Sequence, residues 1–242
     1  MVISILLSHL FGDYILQWDS LSRWKSEALG GVLVHGVVVL AATWLFSLPF
    51  DLAWWPWALF IGLTHTLIDG LELPFRKRMA VSNSGVSAVA SLIIDQILHL
   101  SIITFALVES GYLKLPSLSA DILAALTGNR LLTYFLGYAF LTMPAWILVE
   151  FLAYGLIKGT APDFSQAVKN KYICILERGL ITTFVLLGQF LLIPLVAVPR
   201  ILFEWNEFIG SRYDSQYGRL FLTELLTSVT VAVVIGLGLR QI

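Results

Sequence analysis

Stretches of apolar residues about as long as a bilayer is thick recur along this chain, and no other feature limits its fold so tightly. At a rise of about 1.5 Å per residue, about 20 apolar residues of helix cross a hydrocarbon core about 30 Å thick. Such runs fall at approximately 1–17, 29–48, 53–73, 87–109, 129–157, 171–198 and 218–239. They predict an all-α, polytopic transmembrane helix bundle of about seven spans. Composition agrees, because 58% of the 242 residues are hydrophobic, only 13% are charged, and the mean hydropathy is +0.85. Soluble domains average about 45–50% apolar and about 25% charged residues, so a water-soluble globule is excluded.

The breaks between runs carry their own punctuation. Pro49 and Trp54-Trp55-Pro56-Trp57 predict a tight turn at a membrane interface, where indole rings favour the headgroup level. Pro74 is expected to end the third span ahead of Arg76-Lys77-Arg78. Ser119 and Gly128 bracket a short interfacial helix over 120–127. The stretch 199–217, with Trp205 among Arg200, Glu204, Glu207, Arg212 and Asp214, reads as a second interfacial segment. The first run lacks the basic segment and cleavage site of a signal peptide and is expected to stay as a span. Lys and Arg in the connections, led by Arg23, Lys25, Arg76, Lys77 and Arg78, favour an N-out, C-in orientation. The expected division is a four-helix half, 1–109, carrying a polar site, and a three-helix half, 110–242.

What the apolar runs contain is more specific. The four histidines, His9, His35, His65 and His99, all fall inside them, and three have an aspartate four residues away: Asp13, Asp69 and Asp95. Residues i and i+4 share a helix face, so each pair is expected to project to one side. Counted from the cytoplasmic ends of the spans, His9, His35, His65 and Asp95 lie about 9–12 Å deep, Asp13 and Asp69 about 6 Å, and His99 about 18 Å. The order is His-x-x-x-Asp in the first and third runs and Asp-x-x-x-His in the oppositely directed fourth. That reversal keeps every Asp on the cytoplasmic side of its His. Residues 8–13 and 64–69 also read as degenerate copies of one another. Gly12, Gly36, Gly62 and Gly137 are expected to permit close helix approach.

The chemistry open to this layer follows from its donor atoms. Neutral imidazole nitrogens and carboxylate oxygens are ligands for zinc, manganese or iron. A net charge of -1 argues against nucleic-acid binding, and the single cysteine, Cys174, excludes a thiolate cluster. An aspartate near the middle of a span costs about 2.5–3.5 kcal/mol, so three of them must be paired, protonated, hydrated or metal-bound. The expected assignment is a divalent metal, zinc first with manganese or iron as alternatives, held by His9, His35, His65, Asp95 and His99. Asp13 or Asp69, nearest the aqueous side, is the expected general base of an intramembrane hydrolase acting on a lipid or lipid-linked substrate near the cytoplasmic leaflet. Two other uses fit the same residues: proton or cation transport along the layer, and a non-catalytic membrane subunit in which His–Asp bonds only fix packing. Membrane lipids are the expected partners, alongside a membrane-protein partner or a second copy of the chain. In the second half, Glu150, Glu177 and Arg178 are charges inside spans, and a structural ion pair between Arg178 and Glu150 is expected.

Several of these segments resemble an uncharacterised bacterial integral-membrane family of the domain-of-unknown-function type. They are Ser-His-Leu-Phe-Gly-Asp-Tyr-Ile-Leu-Gln (8–17), His35, Thr-His-Thr-Leu-Ile-Asp (64–69), Asp-Gln-Ile-Leu-His (95–99) and Leu-Glu-Arg-Gly (176–179). The resemblance implies a multi-pass protein of the bacterial inner membrane. It also implies that His9, Asp13, Gln17, His35, His65, Asp69, Asp95 and His99 are characteristic positions, and it supplies no activity. More distantly, the intramembrane His and Asp are similar in style to inner-membrane metal-dependent hydrolases.

Overall fold

The computed structural model describes the backbone of the chain apart from residues 83, 163, 165–170 and 211–214, and the side chains apart from these and 75–82, 203–210 and 215. Among the described residues every regular element is helical. The helices are α1 (Val2–Leu10), continued by a π-helical turn (Phe11–Ile15), then α2 (Asp19–Glu27), α3 (Leu29–Ser47), α4 (Trp55–Ser82) and α5 (Gly85–Glu109). There follow α6 (Leu118–Gly128), α7 (Arg130–Leu141), α8 (Met143–Ile157), α9 (Lys171–Leu186), α10 (Ile193–Gly210) and α11 (Ser215–Arg240). Among the described residues four segments are long and apolar enough to cross a membrane: Leu29–Ser47, Gly85–Glu109, Arg130–Ile157 and Gln216–Arg240. Val2–Ile15 is a shorter apolar helix.

The chain divides into two compact units, one of Met1–Ser82 with Ser91–Ala139, the other of Asn83–Ala90 with Phe140–Ile242. In the first, α3 packs on α1, α2 and α4. Helix α4 is two-faced: Ala58, Ile61, His65 and Asp69 are buried, while Leu59, Leu63, Leu67 and Leu71 form an exposed stripe at i+4 spacing. Leu29, Leu33 and Val37 do the same on α3. Exposed aliphatic stripes of this kind suit a lipid solvent, and a water-soluble monomer rarely carries them. At one end of these helices Val2, Ile5, Trp54, Ala58, Ile61, Ile103, Ala106 and Leu107 close into a dry apolar core.

Small residues set how closely the first-unit helices approach. A Cβ at Gly36 would collide with Thr66 of α4, and one at Gly31 would overlap the backbone of Trp24 and Lys25. The second contact is what lets α2 lie directly on α3. Helix α2 has two buried residues, Leu21 and Lys25, one turn apart.

Several local expectations change. Helix α4 does not end at Pro74 but runs on to Ser82. A helical proline removes one hydrogen bond and crowds the carbonyl four residues back, which here belongs to Gly70, where no side chain resists the adjustment. The short helix starts at Leu118, so Ser119 lies inside it, and Asp121 instead accepts from the Lys114 N–H and the Ser117 hydroxyl. The side chains of Arg76, Lys77, Arg78, Glu204, Trp205, Glu207, Arg212 and Asp214 lie outside the described residues.

In the second unit α8 and α9 pack on α11, and Thr182 donates to the Ala232 carbonyl at 2.9 Å. The run 129–157 is interrupted at Thr142, between α7 and α8. Arg178 serves that break. Its Nε donates to the Leu141 carbonyl at 2.9 Å, Nη2 to the Thr142 carbonyl at 3.3 Å and Nη1 to Ser228 Oγ at 3.2 Å. The expected Arg178–Glu150 ion pair is therefore replaced by bonds at the break: to the Leu141 carbonyl, which the interruption leaves without a backbone donor, and to the Thr142 carbonyl, which also accepts from the Trp146 N–H at 3.1 Å. Glu177 and Glu224 each lie 3.5 Å from Arg200.

Candidate metal centre

All seven His and Asp residues singled out from the sequence meet inside the first unit. His9, Asp13, His35, His65, Asp69 and His99 are each 6% exposed or less, and Asp95 is half-buried. Four helices and one turn deliver them: α1 brings His9, the π-helical turn Asp13, α3 His35, α4 His65 and Asp69, and α5 Asp95 and His99.

The tightest convergence involves four atoms. His35 Nε2 lies 3.1 Å from His65 Nε2, 3.1 Å from Asp13 Oδ1 and 3.7 Å from Asp69 Oδ2. His65 Nε2 lies 3.2 Å from Asp69 Oδ2 and 3.7 Å from Asp13 Oδ1. A tetrahedral zinc ion with bonds of about 2.0–2.1 Å separates its ligand atoms by about 3.3–3.4 Å. Among Asp13, His35 and His65 the separations of 3.1, 3.1 and 3.7 Å straddle that value, so these three could hold a divalent cation. A hydrogen-bonded network is the alternative: one imidazole proton lies between the two Nε2 atoms, and the Lys25 ammonium donates toward both carboxylates.

A second group of contacts adjoins the first. His99 Nδ1 is 3.4 Å from Asp95 Oδ1, and the rings of His65 and His99 stack with centroids 4.0 Å apart. Gln96 Nε2 donates to Asp95 Oδ2 at 3.0 Å and to Asp13 Oδ2 at 3.4 Å, while its Oε1 is 3.2 Å from His9 Nε2. A cavity of about 10 Å³, lined by His9, His65, His99 and Thr43 with apolar neighbours, is about the smallest that admits one water.

The pairing along the chain is not uniform. His65 with Asp69 and His99 with Asp95 make the expected i, i+4 contacts. His9 and Asp13 part company, His9 turning to Gln96 and Asp13 to His35. The cause is the π-helical turn, in which Leu16 N–H donates to Phe11 O at 2.7 Å across five residues instead of four. The wider turn rotates Asp13 away from the α-helical face and toward α3. Gln17 lies past the end of this turn, off the face it is expected to extend.

Two contributors escape a reading by His and Asp spacing. Lys25 Nζ reaches Asp69 Oδ2 at 2.8 Å and Asp13 Oδ1 at 3.5 Å, and is 5% exposed. It counts as a loop charge in the sequence, although the Leu21–Lys25 spacing marks one face of a short helix. Gln96 sits three residues before His99, also on a shared face, and carries no charge to draw notice.

A family model described only as a protein of unknown function matches residues 1–123, the part of the chain that holds every one of these groups. No curated protein and no solved structure matches the chain.

Proposed function

The chain belongs to DUF3307, a family of unknown function, and from that premise we propose that it is an intramembrane metal-dependent hydrolase. Its substrate is a lipid or lipid-linked molecule near the cytoplasmic leaflet of a bacterial inner membrane. The observation that carries this reading is the convergence of Asp13, His35 and His65 at ligand-to-ligand spacing in a buried cluster, with Asp69 beside it.

A divalent ion with a position open to water supplies a nucleophile near neutral pH and polarises the bond to be cut. His35, His65 and Asp13 hold that ion, zinc first with manganese or iron as alternatives. Asp69 has a different part. Lys25 lies closer to it than to Asp13, so the ammonium keeps the Asp69 carboxylate beside the cluster, where Oδ2 takes a proton from the attacking water as general base. Gln96 orients the Asp13 and Asp95 carboxylates from behind. Metal content of the purified protein tests the reading. One divalent ion per chain is expected, lost in His65→Ala. Wild-type protein without stoichiometric metal, or a variant that keeps it, sinks the proposal.

A second reading rests on Lys25, whose ammonium faces two carboxylates without any metal, as a pure packing network requires. It predicts that His65→Gln, which keeps a hydrogen-bonding side chain and leaves Lys25 with both carboxylates, preserves fold and function, an outcome the hydrolase excludes. Transport needs a wet route beyond His99. The core of Ile61, Ile103, Ala106 and Leu107 stands in that direction along α4 and α5, which counts against it.

A further inference from the structure

The cluster is closed. Asp13, His35, His65 and Asp69 are buried, and the cavity beside them measures about 10 Å³, room for one water. A lipid-borne substrate needs far more space, so an element must move before the reaction can begin. Those that carry the ligands cannot leave without dismantling the centre: the π-helical turn brings Asp13, α3 His35, and α4 both His65 and Asp69. Helix α5 carries Gln96, which holds Asp13, and is tied through Ile103, Ala106 and Leu107 into the dry core. Among the described elements that reach the cluster, α2 alone brings neither a proposed ligand nor the base.

Helix α2 is also held lightly. Its 9 residues bury only Leu21 and Lys25, and Trp18 at its N-cap makes no side-chain capping bond. Helices shorter than about 12–15 residues are marginal in water, so α2 depends on its seat. Beneath Trp24 and Lys25 that seat is glycine. A Cβ at Gly30 would come within 2.9 Å of the Trp24 ring, and one at Gly31 would overlap the backbone of Trp24 and Lys25. Bare backbone permits close approach but offers little apolar area to bury. What fastens α2 is the Leu21 side chain and the Lys25 ammonium on Asp69 and Asp13. Ala28, extended, joins it to α3. Trp18 and Trp24 are exposed, and indole rings favour the headgroup level of a bilayer.

We propose, as a deepening that rests on the hydrolase reading, that α2 is a lid, which lifts off Gly30 and Gly31 to admit the lipid-borne substrate and recloses to return Lys25 to Asp69 for the chemical step. Lifting uncovers Asp69 Oδ2 and Asp13 Oδ1, the atoms that Lys25 faces, so the bond to be cut enters on the side of the base. The indoles of Trp18 and Trp24 keep the lid at the membrane surface, where a lipid headgroup lies. Closure shuts out bulk water and restores the arrangement around Asp69.

Zinc release and hydrogen exchange read the lid. The full chain in detergent is loaded with zinc, excess chelator is added, and the freed ion is followed in time; exchange of backbone amides is followed by mass spectrometry. Off its seat α2 does not keep its hydrogen bonds, so its amides are expected to exchange ahead of those of α3. Leu21→Ala removes the main apolar fastening and touches no proposed ligand. It is expected to load one zinc per chain, to release it at least about 30-fold faster than the wild type, and to speed exchange in α2 while α3 and α4 stay unchanged. Amides of α2 that exchange no sooner than those of α3, or zinc that leaves Leu21→Ala at the wild-type rate, overturn the lid. Exchange raised equally in α2, α3 and α4 marks a general loosening and overturns it too. Wild-type protein that takes up no zinc overturns the hydrolase reading instead, and exchange in α2 then decides the lid by itself.

Discussion

Replacing Lys25 by methionine keeps the length of its stem and removes an ammonium that lies 2.8 Å from Asp69 and 3.5 Å from Asp13. Removing one partner of a buried ion pair costs about 3–5 kcal/mol when nothing else neutralises the other. A bound divalent cation is such a neutraliser. Lys25→Met is therefore expected to lose about that much stability in chelator and to stay close to wild type when saturated with metal, as thermal unfolding under the two conditions will show. Arg178 has no comparable rescue. It is fully buried and bonded to two carbonyls and a hydroxyl, and a charged hydrogen bond contributes about 1.5–3 kcal/mol, so Arg178→Met should lower stability by at least that amount whether or not metal is present. At this scale the sequence makes His and Asp legible because they are expensive inside apolar runs. Lys25 is missed because a positive charge just outside a run looks like an ordinary loop residue, and the partners of Arg178 are missed because carbonyls are invisible to residue type.

Elements were legible where long periodicity decides them and opaque where one residue bends the rule. The runs at 29–48 and 87–109 coincide with α3 and α5 almost to the residue, since about 20 apolar residues have few alternatives in lipid. The π-helical turn at Phe11–Ile15 leaves no such mark, and its effect is to send Asp13 Oδ1 to His35 of α3. Deleting Phe11 should restore the tighter repeat and rotate Asp13 by about 100°. Metal content is expected to fall while helicity measured by circular dichroism stays unchanged. The seating of α2 depends on Gly31, where a methyl group would meet the backbone of Trp24 and Lys25. Gly31→Ala should push α2 outward. The readout is Lys25 itself, protected from amine-reactive reagents in the wild type and labelled in the variant.

For the molecule as a whole, the proposed metal is expected to link binding and stability through the first unit. At a free metal concentration about 100 times the dissociation constant the linkage is worth about 2.7 kcal/mol, so chelation should lower the unfolding temperature of the wild type and leave His65→Ala where it is. Imidazole and carboxylate must lose their protons to bind the ion. The extra stability should accordingly be present at neutral pH and shrink as pH falls, measured as the difference between loaded and chelated protein. The Arg178 contacts carry a different consequence, one of timing. The Leu141 carbonyl and the guanidinium that satisfies it are separated by 37 residues. At about 5–20 residues per second, a ribosome needs about 2–7 s to add them. During that interval the broken span has entered the bilayer with the Leu141 carbonyl facing lipid or the insertion machinery. The nascent chain must be sheltered there until the later helix arrives.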